Sequence, residues 1–271
     1  MIGILDHLDE KYLITELIGN PHFLDGKIMV NCIYEIDKSM KEHLNDAIYR
    51  QSELKEYIEM WCHEVKTPVA TSQMIIENNL NPVNESIKEE LIKIDNYVEQ
   101  VLFYARSENV EKDYLIKDVK LSELVNSVIK RNKKDLINKH VKIELKNLEI
   151  DVASDKKWLE FILNQIINNA IKYVDETPII KLFAKQYKDR VELMIKDNGI
   201  GILENELNRV FDKGFTGTTG RTKQKSTGIG LYLCKKLCYR LNHEIKIDSN
   251  SHGTVVTLVF PYSSHITFTI M

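Results

Sequence analysis

The chain has 271 residues, of which 43% are hydrophobic and 28% charged, and its formal net charge is -3. This composition excludes a disordered or strongly basic chain, so the charge balance gives no support to nucleic-acid binding. The length favours two modest domains over a single large one.

Cysteine content and hydropathy indicate the compartment. The four cysteines are too few for a disulfide framework and predict a reducing environment. The sequence has no apolar run of about 18 residues, the length needed to cross a bilayer. The segment Met1–His7 is too polar and too short for a secretion signal. We therefore expect a cytosolic polypeptide.

A regular helical pattern begins at Glu35. Before it, turn formers at Gly19–Pro21 and Asp25–Gly26 predict short helices separated by turns. After it, one stripe of side chains alternates spacings of four and three residues, which is the heptad pattern of a helix that packs along its length. The stripe consists of Met40, Leu44, Ala47, Gln51, Leu54, Ile58, Trp61, Val65, Pro68, Ser72 and Ile75.

A second heptad stripe follows the turn-forming cluster Asn78–Pro82. It consists of Ile87, Leu91, Ile94, Val98, Val101 and Ala105. Two such helices joined by a short loop predict an antiparallel hairpin. Because a lone hairpin leaves a wide apolar stripe in water, we expect two copies to associate as a four-helix bundle, which makes the protein a homodimer.

From about Val119 the pattern becomes mixed α/β. Ser122 is expected to cap one helix and Asp155 to lead another, and a further helix is expected from Leu231 to about Leu241. Strands are expected at Val141–Leu145, Ile150–Val152, Ile179–Phe183, Val191–Ile195, Glu244–Ile247 and Val255–Phe260. The predicted fold class is therefore α, then α+β.

The stretch from Trp61 to Pro68 contains a candidate nucleophile. His63 falls on the outward face of the heptad helix, where a neutral imidazole has a free nitrogen that can attack an electrophile. Glu64 can orient the ring or accept its proton, and Thr67 can position a water for the reverse hydrolysis. Pro68 lacks a backbone N–H and predicts a bend.

This stretch has two other interpretations. Taken alone, a surface histidine beside a glutamate is also what an ordinary solvated helix face presents. A zinc-protease motif is excluded, because His-Glu-x-x-His requires a second histidine where the chain has Thr67.

Further along the chain, one helix face and one turn suggest a nucleotide site. Gln165, Asn169, Lys172 and Tyr173 share a helical face, on which amide oxygens suit Mg²⁺ and the lysine suits phosphate. Asp197 follows a predicted strand, where an ionised carboxylate can accept a hydrogen bond from the amino group of adenine. Each feature alone is equally compatible with a polar helix face or a simple turn.

Glycines and a polar loop follow Asp197. Gly199 and Gly201 let the backbone approach a ligand closely. The predicted lid, Thr216–Thr227, lacks large aliphatic residues and carries three cationic side chains. Gly228 and Gly230 then lead into a helix whose N-terminal amides can hold phosphate. Cys234 and Cys238, with His243 nearby, suggest a metal ligand set, but their place on an apolar helical stripe predicts core thiols instead.

In order and spacing, these stretches together resemble the conserved boxes of bacterial sensor histidine kinases. The matching stretches are His63–Pro68 as the phosphoacceptor box, Gln165–Tyr173 as the asparagine box, Asp197–Gly201 and Gly228–Leu231 as the glycine boxes, and Phe211–Phe215 as the phenylalanine box. The resemblance covers Glu35–Pro261. Within this family, the chain looks most similar to the intramembrane-sensing subfamily associated with peptide-antibiotic transporters. The narrower likeness lies in Phe23–Gly26, Tyr57–Trp61, Asn164–Gln165 and Ser226–Leu233.

The resemblance implies a helical-hairpin dimerisation and phosphoacceptor domain followed by a Bergerat-type α/β sandwich that binds ATP. The implied boundaries are 1–34 for a membrane-proximal segment, 35–108 for the hairpin, 109–118 for a linker, 119–262 for the ATP-binding domain and 263–271 for a tail. The implied catalytic residues are His63, Glu64 and Thr67, and the implied Mg²⁺ ligands are Asn169 and Gln165. The implied ATP contacts are Asn169, Lys172, Tyr173, Asp197, Gly199, Gly201, Phe211, Thr227, Gly228, Gly230 and Leu231.

The resemblance also implies partners and a reaction. The phosphoryl group would pass from ATP to His63 and then to an aspartate of a cognate response regulator, with Thr67 assisting the reverse hydrolysis. An ABC-type peptide transporter is an implied partner, and a transmembrane region before Met1 would place the chain at the inner face of the cell membrane. Two alternatives remain: a nucleotide-binding scaffold that does not phosphorylate itself, and another ATPase of the same superfold, such as a serine-directed kinase or a gyrase-like ATPase.

Overall fold

The computed structural model of the chain describes residues 17–19, 21–78, 81–108, 114–174, 177–217 and 227–262. Expectations for the first sixteen residues, for most of the lid and for the tail from residue 263 lie outside these residues. The helices are α1 Leu24–Glu77, α2 Pro82–Glu108, α3 Leu121–Arg131, α4 Lys133–Asn138, α5 Lys156–Lys172, α6 Glu204–Leu207 and α7 Gly230–Arg240. The strands are β1 Lys117–Lys120, β2 Lys142–Lys146, β3 Asp151–Ser154, β4 Ile179–Gln186, β5 Arg190–Asp197, β6 Glu244–Asn250 and β7 Gly253–Pro261.

The long helix α1 begins at Leu24 rather than at Glu35. The turn predicted at Asp25–Gly26 is wrong, because both residues lie in the first helical turn, where the carboxylate of Asp25 suits the positive end of the helix dipole. Pro68 lies inside α1 without ending it. None of the helices in the described part of the chain is both long enough and apolar enough to cross a membrane. The chain divides into two compact units, one ending at Val65 and one starting at Lys66.

In the unit that starts at Lys66, the end of α1 and the helix α2 carry two kinds of apolar side chain. Val69 and Ile76, seven residues apart on α1, are buried within the single chain. The predicted heptad stripe of α2 is only partly open: Ile87, Ile94 and Val101 are 46%, 41% and 39% exposed, whereas Val98 and Ala105 are buried within the chain. An ion pair between Lys88 and Glu77 links the two helices near the turn.

The α/β domain is a layer of helices packed on a five-stranded sheet. The strand order is β2-β4-β5-β7-β6, in which β2 and β4 are parallel and the other neighbours antiparallel. Alternate residues of β5, namely Val191, Leu193 and Ile195, are buried in the same core as the apolar faces of α3, α5 and α7. This alternation is typical of a sheet with one covered face. The predicted fold class is confirmed.

Helix α5 begins where the sequence predicts. The carboxylate of Asp155 accepts from Trp158 N at 2.9 Å through Oδ1 and from Leu115 N at 2.8 Å through Oδ2. The first bond caps the helix, and the second holds the segment before β1 against it.

The cap predicted at Ser122 is wrong. Strand β1, which the sequence did not predict, runs directly into α3, so the capping position is Lys120, which makes no side-chain cap. The amide of Leu121 instead donates to Ile150 O at 3.0 Å, and this bond satisfies a helix-end donor in place of a capping side chain.

Cys234 and Cys238 are buried on the inner face of α7, which confirms that they are core thiols. His243 lies nearby, with Nε2 at 2.8 Å from Ser154 Oγ and its ring edge-on to Phe260 at 4.8 Å. Its Nδ1 is buried and has no hydrogen-bond partner in the described part of the chain. Burial lowers the pKa of His243 to about 4.

This buried imidazole should make the protein less stable in mild acid. Its folded-state pKa lies below the ordinary value of about 6.5, so the unfolded chain takes up the proton first and stability falls as pH drops from 6.5 towards 4. For His243→Gln we expect the loss of unfolding free energy between pH 7.5 and pH 5.0 to shrink by about 2 kcal/mol.

Urea unfolding at the two pH values measures this loss. The matched control is His252→Gln, which removes an exposed imidazole and should leave the pH dependence unchanged. An equal loss in His243→Gln and the unaltered protein would show that His243 is not the responsible group.

Candidate functional site

A cavity of about 370 Å³ opens in the α/β domain beside the C-terminal half of α5. Most of the predicted ligand contacts line it: Gln165, Asn169, Lys172, Tyr173, Asp197, Gly201, Thr227, Gly228, Gly230 and Leu231. Gly199 and Phe211 are not among the lining residues. The fold therefore brings together side chains that are up to about sixty-six positions apart in the sequence, which short-range patterns alone do not reveal.

Asp197 lies at the end of β5 and is held by backbone donors. Its Oδ1 accepts from Gly199 N at 2.9 Å and from Thr254 N at 3.1 Å. Burial raises the pKa of the carboxyl above its ordinary value, and the two backbone hydrogen bonds oppose that rise. The result is an acceptor fixed in direction at the base of the cavity, as recognition of a ligand amino group requires.

Gly199 positions this acceptor although it does not line the cavity. A Cβ on Gly199 would lie 2.3 Å from Tyr173 O, so only glycine allows this approach. The next amide, of Ile200, donates to the same oxygen at 3.2 Å. The turn after β5 is thereby tied to the C-terminal end of α5, and Asp197 and Tyr173 reach one cavity.

The side chain of Asn198 supports the same turn. Its Oδ1 accepts from Ile179 N at 2.7 Å and its Nδ2 donates to Thr177 O at 2.8 Å. In the sequence, Asn198 is only one residue of the predicted Asp197–Gly201 stretch. The structure shows that it fastens the end of β5 to the start of β4.

The predicted face of α5 supplies the polar side of the cavity. Burial lowers the pKa of Lys172, and the nearby charge of Lys139 lowers it further. Lys139 itself donates to Ile171 O at 2.7 Å, at the carbonyl end of the helix. An anion bound in the cavity would stabilise the charged form of Lys172.

Gln165 lies where α5 meets the start of α7. A Cβ on Gly230 would lie 2.9 Å from Gln165 Oε1, so the glycine lets the two helices approach. The neighbouring Asn164 points elsewhere: it is buried and accepts from Asn132 Nδ2 at 2.8 Å. Its role is to join α5 to the end of α3.

Two glycines that flank the predicted lid are joined by a hydrogen bond, and one of them, Gly228, lines the cavity. Gly214 N donates to Gly228 O at 3.1 Å. Gly228 has a φ of +66°, and a Cβ there would lie 2.4 Å from Gly214 C. Residues 218–226, which carry the predicted cationic side chains, lie outside the described residues. Helix α7 then starts at Gly230 with its N-terminal amides at the cavity, an arrangement that favours phosphate.

The two phenylalanines of the Phe211–Phe215 stretch have different positions. Phe215 lines the cavity, whereas Phe211 packs against the hydrophobic core. The Nζ of Lys235 lies 5.4 Å from the centre of the Phe211 ring. Arg209 lies 4.8 Å from the centre of the Phe215 ring. Phe211 therefore has a packing role in this structure, and Phe215 is the phenylalanine of this stretch that lines the cavity.

Helix α2 supplies a wall that the sequence did not predict. The lining residues that the sequence patterns did not indicate are Lys93, Asn96, Tyr97 and Gln100 of α2, together with Glu206, Thr254 and the apolar residues Ile202, Val210, Ile247 and Val256. The four residues of α2 recur at helical spacing, and this polar face is the sequence feature that could have indicated a second binding surface. It was not interpreted in that way because the apolar stripe of α2 already accounted for the helix as part of a dimer.

The predicted phosphoacceptor residues lie on α1. His63, Glu64 and Thr67 are all exposed, and His63 and Thr67 are one helical turn apart. The carbonyl of Thr67 accepts from Thr71 Oγ1 at 3.0 Å. Because Pro68 has no N–H, the Glu64 carbonyl lacks its usual helical partner, so the backbone ladder is interrupted directly after the His63–Glu64 pair.

The magnesium prediction has a compatible donor set. Among the described residues no group of three histidines, cysteines or acids could hold a metal ion by itself. The amide side chains of Asn169 and Gln165 do line the cavity. Mg²⁺ commonly uses one or two protein oxygens and completes its shell with water and substrate phosphates. The residues present therefore fit a magnesium ion that arrives with a nucleotide.

Comparison with known proteins identifies the family. Residues 154–264 match the family described as histidine kinase-, DNA gyrase B-, and HSP90-like ATPase. Over 227 residues the chain is 35% identical to the sensor protein BceS of Bacillus subtilis (strain 168). The aligned region covers 81% of this chain and 67% of BceS. The chain belongs to the sensor histidine kinases. It carries their ATPase domain, and the prediction of an ATP-dependent histidine kinase is confirmed at the level of family.

Other sensor kinases are similar over different lengths. The kinase is 38% identical over 207 residues to the sensor histidine kinase YxdK of Bacillus subtilis (strain 168), covering 75% of this chain and 64% of YxdK. It is 27% identical over 278 residues to the sensor protein kinase GraS of Staphylococcus aureus (strain bovine RF122 / ET3-1), covering 98% of this chain and 78% of GraS. The kinase thus spans about two thirds to three quarters of the length of these relatives. They agree with the predicted subfamily and argue against a gyrase-like ATPase.

Two solved structures share the fold. Full-length ShkA in complex with AMPPNP aligns with a TM-score of 0.59 at 19% identity, covering 78% of this chain and 46% of that one. The Acinetobacter baumannii histidine kinase AdeS aligns with a TM-score of 0.53 at 22% identity, covering 73% of this chain and 97% of that one. At these identities the likeness shows the fold alone.

Proposed function

We propose that this protein phosphorylates itself on His63 with ATP and passes the phosphoryl group to an aspartate of a response regulator. The observation that carries the proposal is the cavity itself. It gathers a directed acceptor (Asp197), amide oxygens (Asn169), a partly buried lysine (Lys172) and the N-terminus of α7 in a chain that also places an exposed His-Glu pair on α1.

The nucleotide is held by complementary ends of the cavity. Asp197 accepts from the amino group of adenine, and the apolar side chains of Ile202 and Val256 line the same space. The phosphates lie towards Lys172 and the amides that begin α7. Asn169 and Gln165 would hold a Mg²⁺ ion through their amide oxygens. Such an ion would supply positive charge that offsets the negative charge of the phosphates.

In the transfer step, an imidazole nitrogen of His63 attacks the γ-phosphorus, the bond to the bridging oxygen breaks and ADP leaves. Glu64 accepts the proton released from the ring. The product is a phosphoramidate, from which the phosphoryl group passes to the carboxylate of the regulator. In the reverse direction, Thr67 positions the water that hydrolyses the regulator's acyl phosphate.

The active form is a homodimer. The exposed residues Ile87, Ile94 and Val101 repeat every seven positions along α2, and Ile75 near the end of α1 is also exposed. A second copy that covers this stripe completes a four-helix bundle. The subfamily resemblance further supports an ABC-type peptide transporter as the source of the signal, a place at the inner face of the cell membrane and a role in the response to peptide antibiotics.

Labelling with γ-labelled ATP and Mg²⁺ tests this function. The protein should acquire a label that survives alkali and is lost in acid, because a phosphoramidate is hydrolysed by acid and a serine or threonine ester is not. ATP labelled at the α-phosphate is the control and should leave no label. An acid-stable label would contradict the proposal, and nucleotide binding without any label would favour the non-phosphorylating scaffold.

A further inference from the structure

We propose that α2 is a wall of the nucleotide site and that Gln100 and Lys93 on it bind the phosphate chain of ATP. The inference rests on the proposed function of the cavity as a nucleotide site. It adds two ligand contacts from a helix of the phosphotransfer hairpin, outside all the nucleotide-binding stretches that the sequence indicated.

One face of α2 borders the cavity along two helical turns. Lys93, Tyr97 and Gln100 are spaced by four and three residues, and all three line the cavity together with Asn96. With this wall in place the cavity still measures about 370 Å³, within the range of roughly 300–1,000 Å³ found for small-molecule sites. Helix α2 therefore bounds the site without filling it.

Gln100 bridges the two sides of the phosphate end. Its Nε2 donates to Gln165 Oε1 at 3.4 Å, and its Oε1 accepts from Thr227 Oγ1 at 3.4 Å. Both distances exceed the usual range of about 2.7–3.2 Å, so these bonds are weak and easily exchanged. Gln165 borders Gly230, the first residue of α7. The Gln100 amide is therefore placed where a phosphate at the helix N-terminus would accept a shorter bond.

Lys93 brings a second positive charge to a cavity that Lys172 already lines. Its ammonium donates to the Glu90 carboxylate at 2.7 Å, and this hydrogen bond raises the pKa of Lys93, so the charge is present at neutral pH. Both partners are more than half exposed, and exposed pairs of this kind are weak. A polyphosphate can therefore draw Lys93 from Glu90 without a large cost.

The wall is anchored by contacts other than Gln100. One turn further on, Tyr104 OH accepts from Lys213 Nζ at 2.8 Å. The ring of the neighbouring Phe103 lies 4.1 Å from that of Phe161 on α5. Removal of Gln100 or Lys93 should therefore leave α2 against the ATPase domain, so that each substitution tests ligand contact separately from docking.

Titration calorimetry of the full chain with AMP-PNP and Mg²⁺ tests the assignment. We expect Gln100→Ala and Lys93→Met each to weaken binding about 3- to 10-fold, as loss of one ordinary hydrogen bond or one solvent-exposed charge contact predicts. For AMP, which lacks the β- and γ-phosphates, each substitution should reduce the affinity by a smaller factor. The matched controls are Asn126→Ala on α3 and Lys185→Met on β4, both exposed and away from the cavity, and their affinities should stay within about twofold.

Each outcome decides the proposal. Unchanged or tighter binding in both α2 variants overturns it, and tighter binding would show that α2 competes with the nucleotide. Equal losses for AMP and AMP-PNP also overturn the assignment to the phosphates. If the unaltered protein does not bind AMP-PNP, both this inference and the proposed function fail. Gln100→Glu keeps the side-chain size but adds a negative charge, so it should weaken AMP-PNP binding more than Gln100→Ala does.

Discussion

Replacing His63 with glutamine is expected to abolish labelling from γ-labelled ATP while leaving the affinity for AMP-PNP within about twofold. Glutamine keeps a polar, helix-compatible side chain on the exposed face of α1, but its amide nitrogen is not a nucleophile. The proposed nucleotide contacts belong to other elements, namely α2, α5, β5 and α7. The expected result is therefore a protein that binds the nucleotide but has no side chain to accept its phosphoryl group.

The complementary variant is Asp197→Asn, which should keep the phosphoacceptor His63 but bind the nucleotide more weakly. An asparagine amide can present an N–H to the adenine amino group where an acceptor is needed. Loss of a charge-assisted hydrogen bond of about 1.5–3 kcal/mol corresponds to a reduction in affinity of roughly 10- to 150-fold. The control for both is His43→Gln, also exposed on α1, which should label normally. Retained label in His63→Gln, or lost AMP-PNP binding in that variant, would show that the roles are assigned wrongly.

A methyl group added at Gly253 should damage both stability and nucleotide binding. Gly253 has a φ of +128°, and a Cβ there would lie 2.1 Å from Asp197 O and 2.8 Å from Asn198 Cα. The neighbouring amide, of Thr254, is one of the two that hold Asp197 Oδ1, at 3.1 Å. Since the clash is with backbone, Gly253→Ala should lower the free energy of unfolding by about 3 kcal/mol or more and also misplace Asp197.

Gly214→Ala is the matched control, because it separates backbone strain from collision. Gly214 also has a positive φ, +76°, but a Cβ there would meet nothing within 4 Å. It should therefore cost only about 1–2 kcal/mol, the strain of a left-handed residue. Urea unfolding and AMP-PNP titration measure the two effects. Equal losses in both variants would mean that the contact with Asp197 contributes nothing.

The elements that sequence patterns predicted are those that local physics determines. Alternating apolar residues gave β5, and a carboxylate before an apolar period gave the start of α5 at Asp155. Strand β1 was missed because Lys117–Lys120 has a single buried residue, Val119, and becomes a strand only by pairing with β3. The same pairing leads the chain into α3 and makes a cap at Ser122 unnecessary.

The motifs of the candidate site could be predicted from the sequence, but the full set of elements that enclose the cavity could not. Asp197, Asn169 and Lys172 could be named from residue type and spacing, and the structure places them in one cavity. The contribution of α2 could not be anticipated, because it depends on how Tyr104 and Lys213, more than one hundred positions apart, meet in the fold. Packing likewise decided that Phe215, and not Phe211, faces the cavity.

The hydrogen bond between Gly214 N and Gly228 O at 3.1 Å has a consequence for how the chain can change in evolution. With the ends of the segment fastened together, the entropy cost of its closure rises by only about 0.6 kcal/mol for each doubling of its length. Insertions or deletions between residues 217 and 227 should therefore be tolerated by the ATPase domain, provided that both glycines remain. Such changes in length would leave in place the bond between the two glycines and the part of the cavity wall that Gly228 forms.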